Sequence, residues 1–320
     1  MKHLFIINPV AGGRNSTEEV RQKVEAAFGA GSDEYEIYVT TGPLDALNKT
    51  KQAALSDGEV RVYACGGDGT LNECANGAAM AKNVAVTHFP IGTGNDFIKT
   101  FGEDKQKFFE LDNLINGQIQ PVDMILCNGR YALNVCSVGI DAKIGVGVHK
   151  YSAIPILKGA SAYIVSVVAN FIKGITTPMK IKCNGQVFSG KMTLVCAMNG
   201  GFYGGFFNPV PETQCNDGVI DFLVVRDVTR LQFIRIIGKY AKGRFREFPQ
   251  FIKHITGAVM EIESPEELLI NIDGEGESGK HVALELVPNA LNFVLPQGMI
   301  LPRQCRKSRK AAKNEALSAK

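Results

Sequence analysis

Five carboxylates in this chain stand where chemistry could be done. Asp68 lies inside the glycine turn Gly66-Gly67-Asp68-Gly69-Thr70, and Asp96 closes a second one, Gly92-Thr93-Gly94-Asn95-Asp96. Asp123 follows Gln120-Pro121-Val122, and Asp273 and Glu275 flank Gly274 behind an apolar run. A carboxylate inside a glycine turn would repel a phosphate unless a cation lay between them, so this pattern points to a metal-bound nucleotide. Neither the dinucleotide pattern G-x-G-x-x-G nor the P-loop pattern G-x-x-x-x-G-K-[ST] stands at these turns. Asp68 as a helix cap in an ordinary strand-to-helix turn is the competing reading.

The elements that lead into the turns give them their meaning. Val60 to Cys65 reads as a buried strand, and Leu71 to Met80, without proline or β-branched residues, as a helix. Uncapped N–H groups and the positive end of the helix dipole then converge on one spot, which suits an anion. The strand Val84 to Phe89 enters the second turn in the same way. Two such turns, one strand-helix unit apart, suit adjacent parallel strands with their carboxyl ends at one crevice. Lys2 to Asn8 reads as the first strand, followed by the Gly12-Gly13 turn and a helix from about Ser16; Tyr35 to Thr40 reads as a strand and Asp45 to Leu55 as a helix. Three strand-helix units before residue 100 predict an open, parallel, Rossmann-like sheet.

After a polar helix beyond Phe101-Gly102 the pattern changes near residues 121 to 126. Cys127-Asn128-Gly129-Arg130 and Cys183-Asn184-Gly185-Gln186 are Asn-Gly hairpin signals, so the second half is expected to be mainly antiparallel β. Two helix-like segments interrupt it. Lys158 to Ile172 carries an apolar stripe, whereas Val228 to Pro249 mixes Leu231, Ile234, Ile237 and Phe245 with Arg230, Arg235, Lys239, Lys242, Arg244 and Arg246. The second reads either as a core helix with solvated charges or as a surface for an anionic membrane. Glycines and aromatics alternate through Asn199 to Phe207, a loop suited to wrapping an apolar ligand. Arg303 to Lys320 is a basic tail.

With 320 residues and 45% hydrophobic composition, two domains are expected. A net charge of +3 is too small to suggest a nucleic-acid partner. Eight cysteines without a C-x-x-C pair argue against zinc and against a disulfide framework, and for a reduced, cytoplasmic protein. The N-terminal apolar run is short enough to be a first strand and not a signal peptide, and Gly159 to Ile172 is too short to span a bilayer. A lipid substrate would have to be met from outside the membrane.

Gly66-Gly67-Asp68-Gly69-Thr70 and Gly92-Thr93-Gly94-Asn95-Asp96 together resemble the catalytic domain of the diacylglycerol kinase and sphingosine kinase superfamily, most closely its soluble bacterial lipid kinases. The resemblance extends to Asn8-Pro9-Val10-Ala11-Gly12-Gly13, to Thr40 before Asp45-Ala46, to Asn216 to Asp221 and to Asp273-Gly274-Glu275, covering the chain to about Pro296. It implies a nucleotide-binding catalytic domain over 1–123, a β-rich, sandwich-like lipid-substrate domain over 124–296, a return segment and tail over 297–320, and a nucleotide cleft between the domains. It implies ATP contact by Asn8, Pro9, Gly12, Gly13, Thr40, Gly66, Gly67, Asp68, Gly69, Thr70, Asn72, Glu73, Gly92, Thr93, Gly94, Asn95 and Asp96. A magnesium network would involve Asp68, Asp96 and Asp123. Glu275 would be the proton acceptor and Asp273 its orienting or metal-contacting neighbour, the alternative being a plain D-G hairpin turn. A second magnesium would sit on Asp217 with backbone oxygens of Gln214 and Val219, unless Asp217 merely caps a turn. The implied activity is magnesium-dependent phosphorylation of a lipid hydroxyl by ATP, in the cytoplasm and peripherally at the inner face of an anionic membrane; homodimerisation stays open. An NAD kinase-like activity on a soluble coenzyme and a non-catalytic nucleotide- or lipid-binding regulator are the rival readings.

Overall fold

The computed structural model describes residues 1–29, 32, 34–140, 142–143 and 174–301. The expected helix Lys158 to Ile172 and the tail Arg303 to Lys320 lie outside them. In the first half, β1 (Lys2–Ile7), β2 (Tyr35–Val39), β3 (Val60–Gly66) and β4 (Val84–Pro90) pair in parallel in the order β2-β1-β3-β4. Every residue of β3 and β4 is buried, as near-continuous apolar runs covered on both faces require. The connections are α1 (Thr17–Phe28), α2 (Asp45–Ala54) and α3 (Asp68–Ala78). A Cβ on Gly77 would stand 2.7 Å from both Leu47 O and Thr50 Cβ, so this glycine lets α2 and α3 close on each other. β4 runs on into the short α4 (Asp96–Lys99); the polar helix expected next is a 3-10 stretch, Gly102–Phe109, followed by α5 (Leu111–Ile115).

The second half is built from β5 (Gln118–Cys127), β6 (Arg130–Ala132), β7 (Val135–Gly139), β8 (Thr177–Cys183), β9 (Gln186–Met198), β10 (Ile220–Arg226), β11 (Ile252–Gly257), β12 (Val259–Ile272) and β13 (Glu275–Leu295). Three tight hairpins have both central residues left-handed: Asn128 and Gly129 (φ 47 and 91), Asn184 and Gly185 (50 and 72), Asp273 and Gly274 (48 and 99). That geometry matches the twist of the flanking strands and explains the Asn-Gly and Asp-Gly choices. Alternation along the strands makes two cores. Phe222 and Val224 face one with Val195, Ala197 and Ile270; Leu223 and Val225 face the other with Leu194, Met198 and Tyr240. The second core is roofed by α6 (Arg230–Tyr240), which begins at a capping box of Thr229 and Gln232. The expected helix to Pro249 ends at Tyr240: Gly243 turns left-handed at φ 73, and a Cβ there would stand 2.5 Å from Pro211 Cγ.

No linker separates the halves. β13 pairs antiparallel with β5 from Leu284↔Cys127 to Leu295↔Gln118, and near its end it pairs in parallel with β4 at Asn292 and Phe293. The change of pattern near 121 to 126 therefore falls inside a continuous strand. Its structural mark is a register shift in β13 between Val287 and Leu291, beside Asp123.

Candidate active site

Three strand ends meet to form a cradle. β1 leads to Asn8, whose Nδ2 donates to Thr70 Oγ1 (3.1 Å) and whose Oδ1 accepts from Val10 N (3.1 Å). The carbonyl of Gly66 at the end of β3 accepts from Ile91 N and Gly92 N, each at 3.0 Å, and from His88 Nε2 at 3.1 Å. A Cβ on Gly92 would run into the Gly67 backbone, and one on Gly12 (φ 68) into Ile91 O. Glycine is required where the turns touch, and it leaves the N–H groups at the start of α3 uncovered for an anion. Asn95, left-handed at φ 52, donates from Nδ2 to Gly92 O (2.8 Å), while its Oδ1 is buried without a hydrogen-bond partner. Thr40 sits at the next strand end, held by Ile7 O.

The carboxylates gather against this cradle. Asp68 Oδ1 accepts from Asp96 N at 2.5 Å, and a Cβ on Gly94 would stand 2.5 Å from Asp68 Oδ2. Burial, then the charges of Asp96 and Asp273, push the Asp68 carboxyl up to about 6, against the hydrogen bonds from Asp96 N and Phe97 N. Asp273 comes from the β12–β13 hairpin, yet its carboxylate accepts from Asn72 Nδ2 on α3 (2.9 Å) and from Leu133 N (2.6 Å), Asn134 N (3.1 Å) and Val135 N (2.7 Å). Burial raises its pKa and those donors oppose the rise. Carboxylates 205 positions apart in sequence, roughly speaking, are thus near enough to feel each other's charge.

A model of the diacylglycerol kinase catalytic domain matches residues 2–127, and one of the YegS C-terminal NAD kinase beta sandwich-like domain matches residues 134–295. A solved chain from Bacillus anthracis str. Sterne superimposes with a TM-score of 0.71 at 30% identity, over 93% of this chain and 98% of that one. The chain belongs to the diacylglycerol kinase catalytic-domain family. It is therefore a lipid kinase by family. A solved diacylglycerol kinase from the same strain gives a TM-score of 0.69 at 27% identity, covering 93% and 98% of the two chains. The diacylglycerol kinase of Bacillus subtilis (strain 168) is 28% identical over 277 residues, 86% of this chain and 90% of that protein.

In this lipid kinase, Asp96 ties the second glycine turn to the glycine- and aromatic-rich loop. Its Oδ1 accepts from Lys99 Nζ (2.6 Å) and its Oδ2 from Gly205 N (2.8 Å), while Lys99 Nζ also donates to Gly205 O (2.7 Å) and Thr100 Oγ1 accepts from Gly201 N (2.9 Å). Lys99, Thr100 and His88 were not among the residues singled out from sequence. Lys99 had one legible signal, its place one helical turn after Asp96.

Other predicted residues are placed differently. Asp123 is buried away from the cradle's own hydrogen bonds, with Oδ1 accepting from Asn289 N and Oδ2 from Gly218 N, both at 2.9 Å. It thereby links the β13 irregularity to the Gln214 to Val219 loop, where Asp217 Oδ1 accepts from Val219 N (3.2 Å). Glu73 caps α2, accepting from Leu44 N (2.9 Å) and Ala46 N (3.1 Å). Asn72 bridges to Asp273 and to Tyr131 O (3.2 Å). Glu275 is exposed at the first position of β13, paired through its backbone with Ile272, and its side chain has no hydrogen bond or ion pair among the described residues. Gly13, Gly69 and Thr93 lie at the open edges of the three turns, and Pro9 follows Asn8 into the first.

Proposed function

We propose that this lipid kinase transfers a phosphoryl group from ATP to the hydroxyl of diacylglycerol or a related lipid at a membrane surface, giving a phospholipid. The observation that carries the reading is that Asp273, from the other half of the chain, is bonded to Asn72 on α3, the helix that Asp68 begins on a bare glycine cradle. The parallel strands β1 to β4 are read as a Rossmann-like unit over 1–123, and residues 124–296 as the unit that takes the lipid, with 297–320 as the return and tail. The cradle N–H groups hold the nucleotide phosphates, and Gly12, Gly67 and Gly92 keep side chains out of their way.

Among the described residues no group of three or more His, Cys, Asp or Glu side chains is gathered as for a metal ion, so magnesium would be held by few protein ligands and keep most of its water. Asp68 carries a carboxylate whose pKa is raised first by burial and then by the charges of Asp96 and Asp273, and Asn95 supplies a buried oxygen without a partner. Asp68 would hold the ion with Asp96 as an outer member through water, since magnesium keeps much of its hydration shell, while Asp123, whose two carboxylate oxygens accept from Asn289 N and Gly218 N, would act only at one remove. When bound, it supplies positive charge to the phosphate oxygens. Asp217 with the backbone oxygens of Gln214 and Val219 would hold a second, structural ion.

Glu275 is the proton acceptor for the attacking hydroxyl in this reading. It stands two residues from the anchored Asp273, so the hairpin turn is fixed while its own carboxylate stays free to move a proton. Asp273 orients that turn by accepting from Asn72 and from the N–H groups of Leu133 to Val135. Activity on a soluble coenzyme is disfavoured by the Gly92 to Asp96 turn and the Asp273-Gly274-Glu275 hairpin. A purely regulatory binder would have no use for a free carboxylate beside the cleft. The test is incubation with labelled ATP, magnesium and a lipid extract. Label is expected in a chloroform-soluble phospholipid; label found only in a soluble coenzyme, or in no product, would overturn the reading.

A further inference from the structure

α6 carries apolar residues on two opposite faces. At 100° per residue, Ile236 and Tyr240 lie on one side and are buried in the second core. Leu231 and Ile234 lie on the other, each 60% exposed, where a helix that only roofs a core would present polar side chains. From Val228 to Arg246 the chain holds six basic residues and no acidic one. The structure thins this charge: Lys239 and Arg244 are paired with Glu247 (2.6 and 2.5 Å), and Arg246 with Glu212. Arg235 and Lys242, both exposed, have no carboxylate within ion-pair reach among the described residues.

The buried side of α6 packs on the loop that reaches the candidate active site. Tyr240 and Tyr203 share a hydrogen bond between hydroxyls (3.2 Å), and Phe207 packs edge-on to Tyr240. The same loop carries Gly205, bonded to Asp96 and Lys99, and Phe206, which is 58% exposed.

We propose that the outer face of α6, with Leu231 and Ile234 beside Arg235 and with Lys242 just past the helix end, seats the protein on an anionic phospholipid bilayer. The proposal rests on the lipid-kinase reading for the identity of the surface met. Two apolar side chains fall far short of the roughly 800 Å² per partner that a stable protein interface buries. They suit the headgroup boundary, where apolar ends enter the acyl layer and cationic ends stay with the phosphates.

The chain has no tryptophan, so Ile234→Trp introduces a single indole into the full-length protein. The probe is a phosphatidylcholine vesicle with or without about one third phosphatidylglycerol, at low salt. With anionic vesicles the emission should shift to the blue and be quenched by brominated acyl chains, and added salt should reverse both. Val187→Trp, at a 59% exposed position on β9, should not respond. Arg235→Glu with Lys242→Glu should lower vesicle partition by roughly 25-fold or more, about fivefold for each charge lost. An unshifted indole at 234 on vesicle-bound protein, equal partition into neutral vesicles, or no vesicle binding at all would each overturn the proposal. Docking as described without phosphorylation of any lipid would leave the surface standing and refute the kinase reading. Phosphorylation of detergent-dispersed lipid with an unresponsive indole would do the reverse.

Discussion

Asp68→Asn removes a charge that the fold holds unfavourably. The carboxyl is raised from 3.8 to about 6. At about 1.36 kcal/mol per pKa unit, ionising it in the folded protein costs about 3 kcal/mol more than in the unfolded chain. Asparagine keeps the Oδ1 acceptor for Asp96 N but weakens the set of hydrogen bonds to a charged oxygen, so a net gain of about 1–2 kcal/mol is expected. The sign follows from the direction of the shift. A folded-state pKa above the unfolded value favours folding fully below about pH 4, and that contribution is lost as pH rises through about 6. The variant should therefore melt near the wild type at about pH 4 and roughly 2–6 °C above it at about pH 7.5, in chelator. Added magnesium should narrow the gap by stabilising the wild type alone, while kinase turnover of the variant is lost. Thermal melts at the two pH values, with and without magnesium, read all of this. A gap that does not change with pH, or a variant less stable at about pH 7.5, would refute the electrostatic account of Asp68.

Glu275→Gln should lower turnover roughly 10²–10⁴-fold with ATP affinity unchanged by calorimetry; retained turnover removes Glu275 as the base. Asp273→Asn leaves the N–H groups of Leu133 to Val135 short of an anionic acceptor, so it should cost about 1–3 kcal/mol in a denaturant melt and alter the magnesium dependence of any remaining activity. Gly92→Ala forces the second turn off Gly67, and ATP binding should weaken by about tenfold or more; unchanged affinity would show that the turns need not touch. Lys99→Met frees Gly205 from Asp96's partner, so KM for lipid should rise about tenfold with KM for ATP unchanged, whereas a rise for ATP would make Lys99 a phosphate contact.

Much of the local structure was legible because its causes are local. Asn128-Gly129 and Asn184-Gly185 announce two-residue hairpins, since few other pairs tolerate two successive left-handed residues. The buried strands Val60–Gly66 and Val84–Pro90 announce themselves as unbroken apolar runs ending in glycine. The ends of less regular pieces were not legible: α6 stops at Tyr240 because Pro211, 32 positions upstream by number, roughly, leaves no room for anything but a turn at Gly243. The segment Val228 to Pro249 read as one-signed although it contains Glu247; the structure sets Glu247 beside Lys239 and Arg244 and brings Glu212, from outside the segment, to Arg246.

By itself the sequence determined where phosphates could be cradled and which carboxylates were available, because glycine turns, helix starts and Asp-bearing motifs depend on residue types a few positions apart. It also determined the family, whose ordered motifs survive in the chain. Only the tertiary structure decided how the carboxylates are used: Asp273 anchored by Asn72 and three backbone N–H groups, Asp96 clamped to Lys99 and Gly205, Asp123 and Glu73 spent on neighbouring backbone, and Glu275 left free. A carboxylate's role depends on the donors and charges within a few ångströms of it, and here most of those come from distant parts of the chain through β13, which runs from one half into the other.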